Sequence, residues 1–403
     1  MKTVFDQRID RRNTNSAKFD EADLIFGKDV MHLGVADMDF RSPEPIIDAM
    51  EEIAKKGVFG YTILPTNYEE LVCNWMKRRY GVHAEKEWVL FSPRINMAMN
   101  MVVETFTEPG DGIVLHTPAY TALQNAVEKY DRTMIESPLK LSGEGYEMDF
   151  DELRENIKEA DKELGKRGKR IRIMLLCNPH NPTGRVWTKE ELQSAVEICE
   201  EYDLLLIADE IHADFVKHGK KFCSVLEAGR TSLDRLIICN SITKTFNVPG
   251  VILSNMLIPN KKIREKMKET IDRWGIHNPN IFAAGILKAA YTECDEWIEK
   301  VNKYIEGNYQ FLAYFLEKHM PKFHLIPSEG TYMAWIDVKD FGLCPEEMER
   351  FFVKKAKVSV YMGSRYGKHT DSFIRINVAT SREYLEEALK RIQRKYDLLE
   401  REK

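Results

Sequence analysis

Residues 171–209 read IRIMLLCNPHNPTGRVWTKEELQSAVEICEEYDLLLIAD, and this stretch decides the fold class. Its two ends, IRIMLLC (171–177) and LLLIAD (204–209), are continuous apolar runs. Strands covered on both faces of a parallel sheet look like this. Between them Thr188 and Glu191 form a capping box, and Leu192, Ala195, Val196 and Cys199 follow at helical spacing. A strand–helix–strand unit of this length is a right-handed crossover. Working outward, WVLFS (88–92), GIVLHT (112–117), LIICNS (236–241) and NMLIP (255–259) are further strands of the same kind. The pattern changes after about residue 260. Two charged helical stretches follow, the second running from about Ile281 toward His319. Then come FHLIPSEGTYMAWIDV (323–338), a helix opening near Pro345, VSVYMG (358–363), SFIRINV (372–378) and a final helix from about Ser381. The expected architecture is α/β: a large domain over 46–284 with a mostly parallel sheet, and a smaller α+β domain built from 1–45 and 285–403.

The chain has 403 residues, 43% of them hydrophobic, which suffices for a large buried core. Lys and Arg number 59 against 64 Asp and Glu, a formal net charge of −5 that argues against a nucleic-acid or membrane-surface role. Aromatics at 10% and recurring apolar strands exclude a disordered chain. No run reaches the roughly 18 apolar residues of a membrane span, and the first residues lack the apolar core of a signal peptide. The seven cysteines are odd in number, irregularly spaced and without a Cys-x-x-Cys pair. Neither a disulfide framework nor a zinc site is signalled, and a cytoplasmic protein is expected.

In open α/β sheets, ligands bind beyond the carboxyl ends of the strands. Five polar clusters follow the apolar runs: Ser92-Pro-Arg-Ile95-Asn96, Thr117-Pro-Ala-Tyr120, Asn178-Pro-His-Asn181-Pro-Thr-Gly184, Asp209-Glu-Ile-His212 and Ser241-Ile-Thr-Lys244. A loop lysine is ordinarily a solvated surface group. At the end of a buried strand it can instead act as a nucleophile or Schiff-base former. Asp209 ends an apolar strand, where an isolated carboxylate is costly. It needs a cation, and a protonated ring nitrogen would serve. Helix capping or an arginine partner would equally satisfy it. The run Asp209, Glu210, His212, Asp214 invites a metal reading, but strand alternation would point the last three away from Asp209, so no metal is expected. Glycine-rich nucleotide motifs and the G-x-S-x-G elbow are absent.

In this order the clusters resemble the fold-type I pyridoxal 5′-phosphate (PLP) enzymes of the class I/II aminotransferase superfamily. Within it the chain is most similar to the MalY/PatB-type cystathionine β-lyases, also called cysteine-S-conjugate β-lyases. The similarity rests on Ala36-Asp-Met-Asp-Phe40, Val58-Phe-Gly-Tyr61, His116-Thr-Pro-Ala-Tyr120, Asn178–Gly184, Asp209–His212, Ser241-x-x-Lys244-Thr-Phe-Asn247, Gly330-Thr-Tyr-Met-Ala-Trp335 and Arg375-Ile-Asn377. It implies an aspartate aminotransferase-like fold. By this resemblance Lys244 holds PLP covalently and Asp209 keeps the pyridine nitrogen protonated. Asn181 and His212 lie near the phenolic oxygen, and Tyr120 stacks on the ring. Ser241 and the N–H groups around Ile95 and Asn96, at a helix start, hold the phosphate. Tyr61 reaches the phosphate of a neighbouring subunit, which implies a homodimer, and Arg375 grips the substrate α-carboxylate. Two positions depart from the pattern. Arg94 stands where a small residue is usual. Ile252, eight residues after Lys244, stands where many aminotransferases carry a phosphate-binding arginine.

The activity so implied is β-elimination from L-amino acids with a Cβ–S bond, cystathionine or cysteine S-conjugates, giving a thiol, pyruvate and ammonia. Transamination on the same fold shares Lys244, Asp209 and Arg375 and is the first alternative. A PLP-binding regulatory protein acting through protein contacts is the second.

Overall fold

The computed structural model describes residues 3–143, 145–230 and 232–402. Its backbone divides into two compact units, one comprising Ser42–Asn181 with Arg185–Ile298, the other Met1–Arg41, Pro182–Gly184 and Glu299–Lys403.

The first unit is built on a seven-stranded sheet. In chain order its strands, with three of the helices that join them, are β1 (Val89–Ser92), α1 (Ile95–Phe106), β2 (Gly112–Thr117), α2 (Thr121–Glu128), β3 (Thr133–Pro138), β4 (Ile171–Cys177), α3 (Lys189–Glu201), β5 (Leu205–Asp209), β6 (Leu236–Asn240) and β7 (Ser254–Leu257). The spatial order is β1-β7-β6-β5-β4-β2-β3. β3, β2, β4, β5 and β6 pair in parallel. β7 runs against both β6 and β1, so the carboxyl ends of all other strands share one edge. The continuous apolar runs have the cause expected of them. Ile173, Leu175, Ile207 and Ile237 are fully buried and pack with Ala98, Val102 and Met99 of α1. Burying each such side chain is worth about 1.5–3 kcal/mol. The capping box forms as read: Thr188 Oγ1 accepts from Glu191 N at 3.2 Å while Glu191 Oε2 accepts from Thr188 N at 2.7 Å.

Two readings need correction. The helical stretch from Ile281 is not continuous: one helix ends at Thr292 and another starts at Asp295. Asp295 and Glu296 place acids in a new first turn, where they favour a helix start. The extended strand also stops at Asp209. Residues 211–214 form turns, closed by Ala213 N donating to Glu210 O and Phe215 N to His212 O. His212 is therefore on a turn and not on a strand, and the alternation argument does not reach past Asp209.

The second unit carries a four-stranded sheet in which β8 (His324–Leu325), β9 (Met333–Asp337), β10 (Tyr361–Met362) and β11 (Phe373–Asn377) lie in the order β8-β9-β11-β10, all antiparallel. Residues 33–39 run beside β11. Asn377 N donates to Leu33 O, and Asn377 Nδ2 donates to Val35 O and Asp37 O. A buried charge cluster pins the same segment: Lys18 Nζ lies 2.8 Å from Asp39, and Arg11 bridges Asp37 and Asp39 at 2.5 and 3.1 Å. Trp335 stacks on Phe373 in the core of this sheet.

Candidate active site

The strand ends of the first unit deliver one side chain after another to a single edge. Asp209 closes β5, the central strand, with Cys177 of β4 and Cys239 of β6 as its lateral partners. Its carboxylate is buried and accepts from Ile211 N at 3.1 Å. Burial pushes its pKa up to about 6, against the opposing pull of the Lys244 ammonium. A carboxylate so placed is stabilised by a cation brought to it. Its neighbour Glu210 points into different partners, Ser224 Oγ at 2.8 Å and Val225 N at 2.7 Å, and burial raises it to about 8.

Lys244 is the third residue of a single helical turn, Ile242–Thr245, that begins immediately after β6. Ser241 caps the turn by accepting from Thr243 N at 3.0 Å, and its hydroxyl donates to Leu253 O at 2.5 Å. The turn is anchored on the far side. Thr245 Oγ1 donates to Asp214 Oδ2 at 2.8 Å, and Asp214 is bridged by Arg79 at 3.2 Å. Phe246 is buried against Trp75, at 5.7 Å between ring centroids. Lys244 itself is half-buried on this anchored turn.

The loop after β4 is folded back onto the sheet. Asn178 N donates to Asp209 O at 2.9 Å, Asn178 Nδ2 to Cys223 O at 2.8 Å, and His180 N to Arg185 O at 2.7 Å. Asn181 is buried in this loop, as is His212 on the turn after Asp209. Two further histidines at this edge are kept neutral by burial: His116 is lowered to about 4 and His180 to about 3. Tyr120 is the half-buried residue at the head of α2.

At α1 the chain enters through Arg94, whose extended backbone places no side-chain cap on the helix. The first N–H groups, from Ile95 and Asn96, sit at the positive end of a 12-residue helix, a ready anion site. The Arg94 side chain is exposed.

Tyr61 belongs to the same unit but is 100% exposed, on a coil with the exposed Val58, Phe59 and Ile63. Arg375 belongs to the second unit. It is buried in the middle of β11, donates from Nη2 to Gly34 O at 2.8 Å, and lies over the rings of Tyr361 and Tyr366 at 5.0 and 5.2 Å. A Cβ on Gly34 would stand 2.6 Å from the Tyr361 ring, so only glycine lets this backbone approach. The Asp214–Arg79 anchor and the approach of Gly34 to Arg375 had no sequence signal, because the partners lie 135 and 341 positions apart in the chain.

The profile of the family Aminotransferase class I and II matches residues 28–392, and the chain belongs to that family. Among its relatives, cystathionine β-lyase PatB of Bacillus subtilis (strain 168) is 34% identical over 390 residues, 96% of this chain and 98% of PatB. Among solved structures, cystalysin from Treponema denticola, which contains a pyridoxal 5′-phosphate cofactor, superposes with a TM-score of 0.92 at 30% identity, covering 99% of this chain and 100% of that one. The PLP-bound C-S lyase from Staphylococcus hominis gives 0.88 at 31% identity, with 98% of each chain covered. The first unit fits such a cofactor on its own chemistry: a buried carboxylate that a ring cation would satisfy, a half-buried lysine at the adjacent strand end, and an uncapped helix start for a phosphate.

Proposed function

We propose that this protein is a PLP-dependent carbon–sulfur β-lyase. It acts on L-amino acids with a Cβ–S bond, cystathionine or cysteine S-conjugates, and gives a thiol, pyruvate and ammonia. The observation that carries the reading is the placement of buried Asp209 and half-buried Lys244 at the ends of adjacent strands. PLP, when bound, supplies an electron sink for the charge left at Cα. The protein supplies the rest. Lys244 Nζ holds the cofactor and, once displaced by substrate, removes the Cα proton. Asp209 keeps a proton on the pyridine nitrogen. Asn181 and His212 would hold the phenolic oxygen, Tyr120 would cover the ring, and Ser241 with the N–H groups of Ile95 and Asn96 would receive the phosphate. Arg375 binds the α-carboxylate as a planar fork. With charge at Cα, the bond from Cβ to sulfur breaks and the thiolate leaves. Water then converts the three-carbon remainder to pyruvate and ammonia.

Tyr61 reaches the phosphate of a second copy in this reading, so the active protein is a homodimer. Its complete exposure among three exposed apolar residues supports a surface that a partner covers. No described helix is long and apolar enough to cross a membrane, and all seven cysteines are free, which suits a cytoplasmic setting. Ile252, where many aminotransferases carry arginine, weighs against transamination.

Keto-acid dependence separates the two activities. Holoenzyme supplied with L-cystathionine alone is expected to release pyruvate continuously, with no gain on adding 2-oxoglutarate. Turnover that begins only when the 2-oxo acid is added would assign the protein to the aminotransferases.

A further inference from the structure

The turn that carries Lys244 is held at both ends from one helix. The helix Tyr68–Tyr80 carries Tyr68, Trp75, Met76 and Arg79 at positions i, i+7, i+8 and i+11, a single stripe. At the leading end of the turn, Asn240 closes β6 and stands opposite Asn255 of β7. Asn255 Nδ2 donates to Asn240 Oδ1 at 2.6 Å and to the Tyr291 hydroxyl at 2.9 Å, while the Tyr68 hydroxyl donates to Asn255 Oδ1 at 2.6 Å. Asn240 Nδ2 lies 3.0 Å from Met76 Sδ. At the trailing end, Asp214 accepts the Thr245 hydroxyl on Oδ2 and the Arg79 guanidinium on Oδ1. Trp75 packs on Phe246, the next residue. Between the two fixed points lie only Ser241, Ile242, Thr243 and Lys244.

Tyr68, Asn240, Asn255 and Tyr291 are all buried. Apolar residues would fill such a layer at lower cost, because buried polar groups are tolerated only while their partners stay in place. What a satisfied polar layer adds is one unique arrangement. That matters for a lysine that is displaced and must then take a proton, since a misplacement of about 1 Å can cost a hundredfold in rate. We propose that Asn240 and Thr245 are positioning residues, which clamp the Lys244 turn to the helix Tyr68–Tyr80 and thereby set how fast Lys244 moves the Cα proton. The inference rests on Lys244 as the cofactor lysine, a role that elimination and transamination share.

L-Alanine carries no leaving group at Cβ, so exchange of its Cα proton in D2O reports proton transfer by the holoenzyme without elimination. Thr245→Val keeps the shape of the side chain and removes the hydroxyl, and it should slow exchange at saturating L-alanine about tenfold. Thr245→Ser restores the hydroxyl and should stay within about twofold of wild type. Tyr68→Phe, which loosens the other end, should slow exchange about threefold. A second readout needs no substrate. A freer lysine is better solvated, which favours its cation, so the pH midpoint of the visible absorption of bound PLP should rise by about half a unit in Thr245→Val. Leu71→Ala, on the same helix but outside the clamp, should lower the urea midpoint and leave both readouts unchanged. Wild-type exchange in Thr245→Val, no rescue by serine, or equal slowing in Leu71→Ala would overturn the proposal. Wild type that exchanges L-alanine at a rate set by Thr245, yet forms no pyruvate from L-cystathionine, would defeat the lyase reading and leave the clamp standing.

Discussion

Asp209 shows how a single buried group can be both a liability and a tool. In the cofactor-free protein its carboxyl pKa is pushed up to about 6 by burial, from 3.8 in an open chain. The ionised form therefore favours the unfolded chain. Stability from this group is fully present below about pH 4 and is lost as the pH rises through about 6, a penalty of about 3 kcal/mol at neutrality. Asparagine has the same shape and no charge. Cofactor-free Asp209→Asn should thus resist urea better than wild type at pH 7, and the gap should close as the pH falls to 4. Glu210, raised to about 8 by burial and further by the Asp209 charge, is eased by the same substitution and widens the gap at pH 7 in the same direction. A gap that is constant with pH, or of opposite sign, would show that burial does not strain Asp209. Both Asp209 and Lys244 were legible in the sequence because each directly follows an apolar run, and strand ends in a parallel sheet are where polar groups converge. The partners that hold them were not. Asp214 contacts Thr245 across 31 positions and Arg79 across 135, and no local pattern couples such residues.

Elements were legible to the degree that burial was two-sided. Each strand covered by helices on both faces reads as an apolar run, and β1, β2, β4, β5, β6 and β7 were found that way. β3, TMIESP, escaped notice because only two of its six positions are buried, so it carries a Glu and a Pro in place of a continuous run. Gly184 shows the same limit for loops. The sequence marks it as the end of a motif, while the structure gives the reason for glycine: φ is +73°, and an added Cβ would meet the Ser328 side chain and lie 3.0 Å from Gly330 O. Gly184 O also accepts from Glu329 N and Gly330 N at 2.8 Å each. Gly184→Ala should lower stability to urea by about 2–4 kcal/mol, combining left-handed strain with overpacking. An unchanged midpoint would mean that the contact relaxes freely.

Assembly is where a single chain says least, and Tyr61 is the residue that speaks to it. Its side chain is fully exposed, on a coil with the exposed Val58, Phe59 and Ile63. If two copies share sites, Tyr61→Phe and Lys244→Ala variants should each be impaired alone. Mixed and allowed to re-associate, they should recover up to about a quarter of wild-type activity, since half the dimers are hybrids with one intact site each. No recovery would contradict shared sites. The reaction asks more of the protein than any one of these contacts, because it needs base, cofactor anchor and carboxylate fork together. The measurement that tests it most directly is the product balance from L-cystathionine, with no keto acid present, for wild-type and Lys244→Ala holoproteins side by side. Wild type should release homocysteine, pyruvate and ammonia in equal amounts, and Lys244→Ala should release none of them. Products that persist without Lys244, or a wild type that forms none, would contradict the assignment.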